Sequence, residues 1–294
     1  MSATEPRTTR PPKPGRTATS RRPGTTALTY TLLTVGLVVM SAPFLWMAIS
    51  AFKTPKDLGA SPPVWIPTEW TLANFRELLD LMDIARNFMN SAVVAVVVTV
   101  CNLVFCSMLG YALAKLNFAG KKAVLGVVLG ALMVPGNLML LPQFVMMSKM
   151  GLLDSYAGLI LPFAAGAFGV FLMRQFMMAI PDELLEAARI DGAGEWYIFW
   201  RIVLPLVKPA LATLSIFVFL GSWNNFLWPL VATNDPDKYT LPVALATFAT
   251  DPTKAAGSNG VLMAGAFLVV LPVVAVFLVL QRHFTQGIAT SGLK

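Results

Sequence analysis

The sequence predicts an all-α, polytopic membrane protein with six transmembrane helices. Three observations predict it. Only 13% of the 294 residues are charged and 56% are hydrophobic, whereas a soluble domain carries roughly 25% charged residues. The apolar residues fall in runs of about 20 or more, the length that crosses a hydrocarbon core roughly 30 Å thick. The Lys and Arg residues collect on alternate loops, as the positive-inside rule requires of a multi-pass protein.

Residues 1–26 are rich in Pro, Thr and Arg and show no hydrophobic periodicity. Such a stretch buries too little apolar surface to fold, so it reads as a disordered basic tail. The apolar run Leu28 to Phe52 is too long for the core of a signal peptide and reads as a retained first span. Five more spans follow: Phe88 to Ala114, Ala123 to Met146, Tyr156 to Met173, Leu204 to Val231 and Val261 to Leu280. Pro135, Pro162, Pro209, Pro229 and Pro272 interrupt them, and membrane helices tolerate this where neighbours satisfy the freed backbone groups. The chain then divides into the tail, a first helix with its outer loop (27–86), a core with the other five spans and the loop 181–205 (87–282), and a short C-terminal tail (283–294).

Six spans place both termini on one side. With the N-terminus inside, the inner segments hold 15 of the 22 Lys and Arg but only 6 of the 15 acids. The net charge of +7 is therefore a topological signal and calls for no nucleic acid. Cys101 and Cys106 lie five apart in one run, too far apart on a helix for a comfortable disulfide. The single His283 ends the last span and makes no metal site. No Asp, Glu, His or Arg stands at mid-span, where proton-coupled transporters and voltage sensors need one. A secondary transporter, a channel with a filter sequence and a membrane enzyme with clustered acids each lack their signature here. If solute moves uphill, the energy enters from outside the membrane.

The longest inner loop, Pro181 to Pro205, carries the chemistry. Pro181, Asp182 and Glu183 suit the first turn of a short helix, and Asp191-Gly192 stops it. Trp196, Phe199 and Trp200 beside Glu195 and Arg201 make an amphipathic second stretch for the membrane interface. Ala187 and Ala188 are small enough for a partner to approach, with Glu186 and Asp191 as charged groups at the rim. Physically, two readings stand: a docking surface, or an ordinary interfacial helix-turn-helix.

The segment resembles the EAA loop of permease subunits of ATP-binding-cassette importers. That pattern is EAA, three residues, Gly, nine residues, then Ile-x-Leu-Pro. Glu186, Ala187, Ala188, Gly192, Ile202, Leu204 and Pro205 match it at every position. The resemblance implies the type I importer permease fold, with 181–205 as a coupling loop that enters a cleft on a cytosolic ATPase dimer. ATP and Mg would sit on that partner. This chain contains no G-x-x-x-x-G-K-[ST] phosphate loop, and no cofactor of its own is expected.

Other stretches resemble the carbohydrate-importer branch, and in particular the maltose-type second permease. They are Asn87 to Ser91, Gly110-Tyr-Ala-Leu-Ala-Lys115, Trp223-Asn-Asn-Phe-Leu-Trp-Pro229 and Leu280 to Gly287. Many relatives carry Glu where this chain has Asn225, so no role for an acid transfers. The resemblance implies a second permease, an extracytoplasmic solute-binding protein, the bilayer of the bacterial plasma membrane, and a sugar, polyol or phosphorylated polyol as cargo. Trp223, Asn224 and Asn225 combine an aromatic face with amides, as sugar sites do; Asn137 and Gln143 are similar candidates. The alternative is that the amides bond across helices and the Trp packs. The outer loop Lys53 to Arg86, with Pro62-Pro63 and Trp65, reads as an ordered surface segment. It either contacts the binding protein or anchors at the membrane surface.

Overall fold

The computed structural model describes the backbone of residues 23–251 and 259–291, and side chains within 28–251 and 259–279. The tail residues 1–22, the segment 252–258 and residues 292–294 lie outside the described part, as do the side chains of the 280–291 motif and His283. The chain divides into two compact units, 1–46 and 47–294. The first is the greater part of α1 (Pro23–Ser50), a helix without a single charged residue.

In the second unit, α2 (Pro55–Leu58) and α3 (Ala73–Leu81) lie in the loop that precedes the next long helix. They are followed by α4 (Ile84–Lys115), α5 (Lys121–Met133), α6 (Leu140–Lys149), α7 (Tyr156–Ile160) and α8 (Ala167–Met178). The loop holds α9 (Asp182–Ile190), α10 (Glu195–Tyr197) and α11 (Leu204–Leu206). Then come α12 (Lys208–Trp223), α13 (Leu227–Ala232), α14 (Leu241–Thr250) and α15 (Asn259–Ser291). The described residues contain no strand. Helix α4 is the central rod, packed against α8 and α12, while α12 also packs on α15 and α15 on α3.

Three helices are long and apolar enough to cross a membrane unaided: Leu28–Ser50, Ile84–Lys115 and Asn259–Val279. Six spans result when three bent pairs each count as one. The expected third, fourth and fifth spans are therefore broken, by 100°, 44° and 80°. Each break has a visible cause. Pro135, without an N–H, stands between α5 and the short 3-10 turn Gly136–Met139 that opens α6. Pro162 opens a second 3-10 turn after α7. At the third, Pro209 cannot donate to the Pro205 carbonyl, and Val207 leaves helical geometry. The straight helix of the fifth span thus begins at Lys208. The span is broken again at Asn224-Asn225, before α13.

At the second break, polar groups are met from α4. Asn102 Nδ2 donates to Phe163 O at 2.6 Å and to Val98 O at 3.0 Å, while its Oδ1 accepts from Gly166 N at 3.0 Å. A side chain that satisfies both sides of a break makes it tolerable in an apolar setting. Gly110 and Gly169 let α4 and α8 approach closely, since a Cβ at Gly110 would lie 2.9 Å from Met173 Cβ and one at Gly169 2.8 Å from Cys106 Sγ. The loop that holds α2 and α3 is ordered by polar bonds: Asp57 accepts from Thr68 N and Oγ1 at 2.9 and 2.8 Å, and Asn74 Nδ2 donates to Ala51 O and Lys53 O at 2.9 and 2.8 Å.

Candidate functional site

The loop forms as its sequence demands. Pro181 precedes the first turn of α9, Asp182 and Glu183 lie in that turn, and the helix ends at Ile190. Gly192 follows at φ +84°, the left-handed conformation that costs an ordinary residue about 1–2 kcal/mol. Helix α9 has two faces. Leu185 is fully buried and Ala188 packs with it against Met177, Ile198 and Phe199. Glu183, Glu186, Ala187 and Ile190 recur at helical spacing on the opposite, exposed face. Ile190, 86% exposed, is the residue that the sequence reading missed; its place four residues after Glu186 was the available signal.

The remaining motif residues serve the chain's own packing. Ile202 and Leu204 pack against the same core as Ala188, Pro205 ends in the 80° bend, and Asp191 caps α9. Ala188, Ile202 and Leu204 are half-buried, whereas Asp191 and Pro205 are exposed. After α10, Ile198–Val203 is wound as a π-helix. Pro205 downstream cannot bond back to Arg201 O, which is a recognised setting for such a bulge. Trp196, Tyr197 and Trp200 stay exposed around it, while Phe199 is buried.

Helix α4 holds the loop at two points. Lys115 Nζ donates to Ile180 O at 2.5 Å and to Asp182 Oδ1 at 2.7 Å. The bond and charge of Lys115 hold the Asp182 carboxyl below its ordinary range. Since the folded carboxyl is the stronger acid, this contact stabilises above the ordinary carboxylate range and is lost as pH falls through the depressed value. Tyr111 OH donates to Glu195 Oε2 at 2.6 Å, and Arg189 Nε to Glu195 Oε1 at 2.7 Å.

The candidate solute residues separate. Asn137, Gln143 and Asn225 line one cavity of about 570 Å³, with Phe163 and Trp228 among its walls. It lies where two of the bent pairs, at Val134 to Asn137 and Phe163 to Ala167, meet the interruption between α12 and α13 at Asn225. Every lining side chain is uncharged. Asn225 Oδ1 also accepts from Trp228 N at 3.4 Å, capping α13. Trp223 lies elsewhere, 2% exposed, against Phe88 and Phe219, with its indole N–H donating to Val269 O at 2.9 Å. Its face and its donor are both occupied by protein. Asn224 is exposed, ends α12 and does not line the cavity.

Broken spans around an uncharged cavity suit a membrane transport protein. The chain belongs to the family of the binding-protein-dependent transport system inner membrane component, whose model matches residues 106–290. It is 37% identical over 271 residues, 90% of this chain and 96% of the relative, to the arabinooligosaccharides transport system permease protein AraQ of Halalkalibacterium halodurans. It is 33% identical over 265 residues, 90% of this chain and 87% of the relative, to the diacetylchitobiose uptake system permease protein NgcG of Streptomyces coelicolor. A crystal structure of a bacterial ABC transporter involved in alginate import matches its fold at TM-score 0.81 and 24% identity, covering 93% of this chain and all of that one. This chain is an inner-membrane permease component.

Proposed function

We propose that the chain forms part of the translocation pathway of an ATP-driven importer of neutral sugars or oligosaccharides. The observation that carries this reading is the cavity of about 570 Å³ where three interrupted spans meet. Irregular backbone at membrane depth is tolerated where it lines a cavity, and transporters place solute sites at such interruptions. The amides of Asn137, Gln143 and Asn225 offer donors and acceptors, and Phe163 and Trp228 offer apolar wall. No lining side chain is a cation, which favours neutral sugars over a phosphorylated polyol. Among the relatives, AraQ and NgcG are named for arabinooligosaccharides and diacetylchitobiose, which are neutral saccharides, and UgpE for sn-glycerol-3-phosphate.

The free face of α9 docks into a cytosolic ATPase dimer, which holds the ATP and Mg. Glu186 and Ile190 lie on that face with Ala187 between them, a small residue that lets the partner approach. Both termini and the loop are cytoplasmic in this reading, because 15 of 22 Lys and Arg then lie inside. A second permease completes the pathway, and an external binding protein delivers the sugar. Deleting this chain from its host and measuring uptake of radiolabelled compounds tests the assignment. Uptake of a neutral oligosaccharide is expected to fall to background and to return with the wild-type gene. Unchanged saccharide uptake, with loss confined to a phosphorylated polyol, contradicts it.

A further inference from the structure

The Gly110 to Lys115 motif at the end of α4 has no part in the cavity and none in the free face of α9. Tyr111 and Lys115 are one helical turn apart, so they share a face of α4. That face is turned to the loop. Lys115, whose side chain is 5% exposed, binds the carbonyl just before α9 and the first residue of α9. Tyr111, also buried, binds Glu195, whose other oxygen binds Arg189 in the last turn of α9. The Tyr111 ring lies 5.5 Å from that of Phe199, where the loop returns to the core. Both ends of the nine-residue α9 are therefore fastened to adjacent turns of one long helix. At Gly110, the same turn of α4 meets α8 at 2.9–3.0 Å from a notional Cβ.

Further along α4, Asn102 holds Phe163 and Gly166 by three polar bonds counted with Val98. Phe163 and Gly166 line the cavity. One rod thus grips the docking helix at one point and the cavity wall at another. Packed, hydrogen-bonded elements of this kind can carry a displacement between sites.

We propose that Tyr111 and Lys115 are positioning residues that clamp α9 to α4, so that motion of the docking helix is delivered to the cavity wall through Asn102. This rests on the coupling reading of the loop. Charged hydrogen bonds hold the clamp, and a bond to a charged group is the strong kind. Loosening it lets the ATPase cycle turn while α4 follows incompletely.

The test uses the assembled transporter in lipid vesicles, measuring sugar moved and ATP hydrolysed in the same sample. Tyr111→Phe keeps the ring packing and removes the bond to Glu195. Lys115→Met keeps the apolar stem and removes the charge, and Lys115→Arg is the conservative control. The sugar moved per ATP is expected to fall roughly fivefold or more in Tyr111→Phe and Lys115→Met, the low end of typical coupling effects, and to recover in Lys115→Arg. A purely structural role lowers both rates together and leaves the ratio fixed; a fixed ratio in both variants overturns the clamp. An Ala187→Arg variant separates the two ideas. If it abolishes transport while the clamp variants keep their ratio, only the clamp fails; if it transports normally, the coupling reading fails with it.

Discussion

Gly192→Val is expected to cut ATP-driven uptake about tenfold or more while the protein remains in the membrane at its usual level. Gly192 stands at φ +84° with nothing within 4 Å of a notional Cβ, so the cost is in the backbone and not in a clash. An ordinary residue pays about 1–2 kcal/mol there, a factor of roughly 5–30, and a β-branched one pays more. Asn tolerates the conformation several-fold better than most residues. The expected order of uptake is Gly, then Asn, then Ala, then Val. Uptake in vesicles, normalised to the amount of protein by immunoblot, checks it. The turn sets the direction of α9 relative to α10, and under the proposed docking role a helix that is presented wrongly cannot follow its partner. Equal uptake across the series would mean that the turn's geometry is unimportant.

Trp228→Ala has the largest expected effect on stability. Trp228 is fully buried among Val94, Val98, Met147 and Leu159, edge-on to Phe163 at 6.2 Å. Its indole N–H donates to Gly158 O at 3.1 Å. Truncating a buried Trp costs about 3–5 kcal/mol, and here it also removes the wall where two broken spans meet. Membrane yield and the unfolding temperature in detergent are expected to fall sharply. Trp228→Phe keeps most of the packing and leaves Gly158 O without this donor, for a smaller loss of about 1–3 kcal/mol. Parent-like stability in Trp228→Ala would show that the junction of α7 and α13 is held by something else.

The class, the span count and the loop were legible because each rests on a long or rigidly spaced signal. Runs of about 20 apolar residues survive any local irregularity. The turn after Ile190 needed a glycine and had one. The breaks were harder. Hydropathy over a window does not register two or three residues of non-helical backbone, and proline alone does not decide the outcome. Pro272 sits inside the continuous α15, while Pro135 stands at a 100° bend. What decides is where the freed carbonyls and amides find partners, and Asn102 is 61 residues from the Phe163 that it serves. No local pattern carries that.

The same reasoning separates the two readings of Trp223. The motif Trp223 to Pro229 reads as one polar-aromatic stretch, but the break at Asn224-Asn225 sends its two halves to different neighbours. Trp223 joins the cluster with Leu78, Leu241 and Val261, and Trp228 joins the one beside the cavity. Asn225, at the break, reaches the cavity; Asn224 does not. In the loop, Ala187 and Ala188 are adjacent in sequence and about 100° apart around the helix. One is exposed and the other is half-buried against the core. Short α14, with 10 residues, fell below the span length altogether.

The central claim is that energy reaches this chain through the free face of α9. Ala187→Arg places a long cation in the middle of that face without touching the packed side. The direct measurement is ATP-dependent sugar uptake by vesicles carrying the assembled transporter with this substitution, alongside the amount of chain in the membrane. The expected result is a wild-type amount of protein with uptake reduced to background. Normal uptake with full dependence on ATP would contradict the claim.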